Sequence, residues 1–112
     1  MSLFSKLFGK KPNQEAVFVH LDNANLAEEV YEDYDLSTIE EQLIEILADR
    51  KLGIFDGNQV GKAGATLYLY GPDAERLFAG IEQTLREYPL CQGARVIIRR
   101  GGEGAPDREV RL

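Results

Sequence analysis

One cysteine, one histidine and four prolines are all that this chain of 112 residues holds of those types. With Cys91 alone, no intramolecular disulfide can form, which fits a reducing compartment. His20 and Cys91 together are too few for a standard zinc set. Long apolar runs are missing too: none approaches the roughly 20 residues that a membrane-spanning helix needs. The apolar N-terminus is broken by Lys6 and no small-residue cleavage site follows, so no signal peptide is expected and a cytoplasmic location is the default. A basic excess is also absent. The net charge is −6, and phosphate contacts dominate nucleic-acid affinity, so no nucleic-acid partner is expected.

What is present suits one globular domain. At 44% hydrophobic and 29% charged residues, the chain is not of disordered composition. Charge is unevenly placed. Residues 16–49 carry ten acids and no Lys or Arg, whereas residues 95–112 hold five arginines against three acids. Residues 1–15 form a basic leader, in which Leu3, Phe4, Leu7 and Phe8 would share one face of a short helix ended by Pro12 and Asn13. A helix so short is marginal in water unless it lies against something. The domain proper is expected over residues 16–112.

Ala16–Asp22 reads as a strand, with Val17, Val19 and Leu21 on one face and Phe18 and His20 on the other. Asn23–Asp35 reads as a polar, acidic connection with a short strand or turn near Val30–Tyr34. Ser37 and Glu40 make a capping-box pattern before Ile39, Leu43, Ile46 and Leu47, which predict a helix with Gly53 as its left-handed terminator. Ile54–Val60 is strand-like but bears a Gly-Asn turn signal, so a bulge is expected there. Ala65–Tyr70 is a strand. Leu77, Phe78, Ile81 and Leu85 stripe a second helix over Ala74–Tyr88, stopped by Pro89. Ala94–Arg100 is a further strand, and Asp107–Leu112 can pair back as a short last one.

The order β-α-β-β-α-β with a β tail predicts an α+β, ferredoxin-like two-layer sandwich: an antiparallel sheet with two helices on one face, plus a short C-terminal strand. Val17, Val19, Leu67, Leu69, Val96 and Ile98 would form the helix-covered face. Phe18, His20, Thr66, Tyr68, Tyr70, Arg95, Ile97 and Arg99 would form the opposite face, with the first and third strands as central neighbours. RNA-recognition modules present such faces to stacked bases, but Ala65–Tyr70 lacks the basic-Gly-aromatic opening of their signature. A dimer partner, the leader, the C-terminal strand or a partner peptide is the expected cover.

Other constellations are weaker. Gly57-Asn-Gln-Val-Gly61-Lys62 has three residues between its glycines where a phosphate loop has four, and Ala63 stands where that loop needs Ser or Thr. Asp56 with Asn58 is half a calcium loop without its later bidentate Glu, so Asp56, Gly57 and Asn58 read first as a stabilised turn. The run Glu28, Glu29, Glu32, Asp33, Asp35, Glu40, Glu41 and Glu45 reads as a solvated face, or as one that meets a basic partner.

The segments Gly53-Ile-Phe-Asp-Gly-Asn58, Leu67-Tyr-Leu-Tyr-Gly-Pro-Asp-Ala74, Pro89-Leu90 and Gly93-Ala-Arg-Val96 resemble a family of small uncharacterised bacterial proteins, over residues 16–112. The resemblance implies a compact βαββαβ domain and brings no activity and no catalytic residues. The sequence therefore points away from an enzyme, and no cofactor or metal is expected. It points to an interaction or regulatory domain that dimerises or binds another protein through Phe18, His20, Tyr68, Tyr70, Arg95 and Arg99. One alternative is a small enzyme or ligand-binding protein with a site at Asp56-Gly57-Asn58, near His20 or Tyr70. Another is an adaptor docking through Leu3, Phe4, Leu7 and Phe8, with weak peripheral membrane contact.

Overall fold

A computed structural model describes residues 14–22 and 24–112. The leader residues Leu3, Phe4, Leu7 and Phe8 lie outside the described residues. The architecture is α+β: a five-stranded antiparallel sheet with three helices. The strands are β1 (Glu15–Asp22), β2 (Ile54–Gly61), β3 (Gly64–Gly71), β4 (Arg95–Arg99) and β5 (Asp107–Arg111). The helices are α1 (Glu28–Asp33), α2 (Leu36–Arg50) and α3 (Ala74–Glu87), and a 3-10 turn follows at Pro89–Cys91. The sheet order is β2-β3-β1-β4-β5, so β1 and β3 are neighbours, as expected.

Helix α2 packs on α3 and β2, while α3 lies on β1, β3 and β4. Between them and the sheet sits one core. Val17, Val19, Leu67, Leu69, Val96 and Ile98 of the sheet are fully buried there, with Ile39, Leu43, Leu77, Ile81 and Leu85 of the helices. Period-2 burial on strands against period-3.6 burial on helices is what places these residues on one layer boundary.

Three local expectations are corrected. Residues 28–33 form a helix rather than a strand or turn. Glu28 and Glu29 sit in its first turn, where the helix dipole favours acids. Val30 and Tyr31 pack against the core, and the Tyr31 hydroxyl accepts the Leu26 N–H at 3.0 Å. A six-residue helix is not stable alone, so this packing, invisible to local propensity, creates it. The α2 cap is Asp35, not Ser37: its carboxylate accepts the Thr38 N–H at 3.1 Å and the Ser37 hydroxyl at 3.3 Å. The charged acceptor takes the position because charge-assisted bonds are the stronger ones. The left-handed terminator of α2 is Lys51, at φ 54°, rather than Gly53. Gly53 serves a different need. At φ +154°, a Cβ on it would lie 2.0 Å from the Tyr70 carbonyl oxygen, so only glycine lets β2 start this close to β3.

The bulge expected in β2 falls between Phe55 and Asn58, with Gly57 at φ +98°. The C-terminal strand β5 pairs edge-on with β4. It extends the sheet and does not itself fold over the face of Phe18. Arg108 of β5 clamps Glu75 of α3 with two bonds of 2.7 Å, tying the edge strand to the helix layer.

Candidate functional site

Directly paired residues of antiparallel strands point to the same side, so the register builds the open face row by row. One row is Ile54, Tyr70, Ala16, Arg99 and Asp107. The next is Tyr68, Phe18, Ile97 and Glu109. The third is Gln59, Thr66, His20, Arg95 and Arg111. All six residues expected on this face (Phe18, His20, Tyr68, Tyr70, Arg95 and Arg99) are brought together. None of Phe18, Tyr68, Tyr70 and Ile97 belongs to the core cluster or packs against it among the described residues.

Phe18 is the centre. The Tyr68 ring meets it edge-on with centroids 5.5 Å apart, and the Tyr70 ring does the same at 6.0 Å. Such edge-to-face contacts use the ring quadrupole and fix ring orientation. The Arg99 guanidinium lies 5.8 Å from the Phe18 centroid, within cation–π range. Its remaining donors reach the carbonyls of Gly101 at 3.1 Å and Gln14 at 3.4 Å. Ala16, between Tyr70 and Arg99, is fully buried at the foot of these larger groups. Tyr68 donates to Gln59 at 2.9 Å. Burial, and secondarily the Asp56 charge, pushes the Tyr70 hydroxyl above its ordinary pKa, so it stays a neutral donor.

At the other end of the face His20 Nδ1 and Thr66 Oγ1 are 2.9 Å apart. Burial and then the Arg95 charge lower the His20 pKa, against the weaker pull of Glu109. The neutral imidazole is therefore the favoured form. A cavity of about 310 Å³ opens here, lined by His20, Asp22, Thr66, Gly93, Arg95 and Arg111 among others. Its two arginines already pair with Glu109, at 3.3 Å and 3.4 Å, so the notch is polar but close to neutral.

The turn Asp56, Gly57 and Asn58 does not line this cavity. Asn58 pairs with Leu67, a core-facing residue, and donates to Glu40 of α2. It therefore looks to the helix side of the sheet. Cys91 is buried in the 3-10 turn, where burial pushes its thiol up to about 12. No group of three or more His, Cys, Asp and Glu residues able to hold a metal ion occurs among the described residues. No helix of the described residues is long and apolar enough to cross a membrane.

Sequence reading missed Ile54 and Gln59 on this face. The bulge reverses the alternation of β2, so residues 54 and 59, of opposite parity, end on the same side. The Gly-Asn signal announced a bulge but not its position. Glu109 and Arg111 were missed because their side depends on which strand β5 joins. No family model, curated protein or solved structure matches this chain.

Proposed function

We propose that this chain is a ferredoxin-like, non-enzymatic interaction domain that receives a short segment of a partner protein on its open sheet face. The observation that carries this reading is the Phe18–Tyr68–Tyr70 cluster with Arg99 stacked on it, left without cover by either long helix. Aromatic residues and arginine are the types that dominate protein interfaces. A β2-β3-β1-β4 core with β5 added at its edge supports the ferredoxin-like reading. A lone buried thiol is in keeping with a cytoplasmic setting.

Size decides the kind of partner. From Ala16 to His20 the aromatic cluster runs about 13 Å, and from β3 to β4 it spans about 10 Å. That is far below the roughly 800 Å² per side of a standard stable interface. The aromatic cluster alone gives a second copy of the chain less area than that. A segment carrying a few apolar anchors fits.

The test is a photo-crosslinking amino acid placed at Tyr68 of the full chain in its native cell, with the same probe at Ile44, exposed on α2, as control. A discrete adduct to another protein from position 68, absent from position 44, is expected. Equal labelling from both positions, or no adduct from position 68, overturns the proposal.

A further inference from the structure

We infer that the partner segment is acidic: it seats an apolar residue on Phe18 and Ile97 and, two residues along, an aspartate or glutamate whose carboxylate enters the notch at His20, Thr66, Arg95 and Arg111. This deepens the proposed function. It rests on the same face being the recognition surface and names the chemistry of what that surface takes.

The face differs in sign from the chain that carries it. The whole chain has a net charge of −6, yet the rows of the open face hold Arg95, Arg99 and Arg111 against Asp107 and Glu109. An acidic segment is the electrostatic complement of such a face.

Two of these arginines are only half served. On the same strand β5, Arg108 shows a saturated pair, with two bonds of 2.7 Å to Glu75. Arg95 and Arg111 instead share the one carboxylate of Glu109, at 3.3 Å and 3.4 Å. Asp22 also lines the cavity, but its oxygens accept from the Ala24 and Asn25 N–H groups and from the Asn25 side chain. A carboxylate entering the cavity of about 310 Å³ therefore meets two guanidiniums with one acid between them. The planar fork of arginine is the group best matched to a carboxylate.

Spacing ties this notch to the aromatic cluster. Arg95 and Ile97 are two residues apart on β4, as His20 and Phe18 are on β1. The apolar row and the arginine row are thus about 7 Å apart, which is also the separation of side chains i and i+2 on one side of an extended segment. Capture of a chain terminus uses a nest of backbone N–H groups. Here the Gly93 N–H of the lining is already bonded to the Leu112 carbonyl at 3.2 Å, and the cations are side chains, an arrangement suited to a side-chain carboxylate within the segment.

The probe is a display library of random short peptides, fused at both ends so that no free terminus is offered, selected on the immobilised full-length chain. Enrichment of an apolar residue followed two positions later by Asp or Glu is expected. A capped synthetic peptide of the enriched sequence should bind about tenfold more weakly to the Arg95→Gln, Arg111→Gln double variant. Its affinity should be unchanged by Arg86→Gln, which removes a cation from helix α3. Glu109→Gln should strengthen binding, because it removes the resident competitor; damage to the fold would weaken it instead. Enriched peptides with no bias toward acids, or acidic ones that bind the double variant as well as the parent, overturn the inference and leave the open face standing as a recognition surface. A selection that enriches nothing also overturns it, while the Tyr68 crosslink still decides separately whether the face meets another protein.

Discussion

Cys91 and His20 show how burial sets chemistry at the scale of a residue. With its thiol pushed up to about 12 by burial, Cys91 holds almost no thiolate near neutral pH, and the thiolate is the reactive form. A disulfide reagent is expected to leave the native protein unlabelled and to label it once denaturant unfolds it. Fast labelling of the native protein would contradict the buried placement. His20 titrates below the ordinary imidazole value because of burial and then Arg95. The fold therefore disfavours its protonation: stability falls as pH drops past the ordinary histidine value and levels off below the lowered one. An NMR titration should show the low midpoint, and Arg95→Gln should move it upward.

Single contacts between elements decide how strands and helices are joined. Gly53 lets α2 pass into β2 against the Tyr70 carbonyl, so Gly53→Ala is expected to lower the melting temperature, read by circular dichroism. Glu75 joins α3 to β5. Its hydrogen bonds to Arg108 hold its carboxyl below the usual carboxylate range. That lowered value means the tie is complete above the ordinary glutamate pKa and is lost as pH falls through the lowered one. Glu75→Gln is expected to speed amide exchange in residues 107–111 while the exchange of β1 and β3 stays unchanged.

The whole molecule is a sheet with two unlike faces, and neighbouring residues of β3 report them separately. Leu69 is fully buried against the helices, and Leu69→Ala should cost about 2–5 kcal/mol of unfolding free energy. Tyr68, one position away, lies on the open side in contact with Phe18. Tyr68→Ala should cost less in a denaturant melt and should weaken capture of the proposed partner segment. If the two substitutions cost the same stability, the open face is part of the core and not a recognition surface.

Alternation along Ala16–Asp22, Ala65–Tyr70 and Ala94–Arg100, with the stripes of Ile39, Leu43, Leu47 and Leu77, Ile81, Leu85, determined the α+β class by itself. It also determined which six residues share the open face, because side-chain direction in a strand has a period of two and needs no partner to define it. Non-local contacts decided the rest. Helix α1 exists because Val30 and Tyr31 have a core to meet. Ile54 and Gln59 share a face because a bulge at Gly57 reverses the alternation of β2. Glu109 neutralises Arg95 because β5 joins the sheet beside β4. Which strand pairs with which, and in what register, is set by the burial free energy of the assembled core. No local stretch of sequence carries that quantity, and on it depends how the face of Phe18, Tyr68 and Tyr70 is framed.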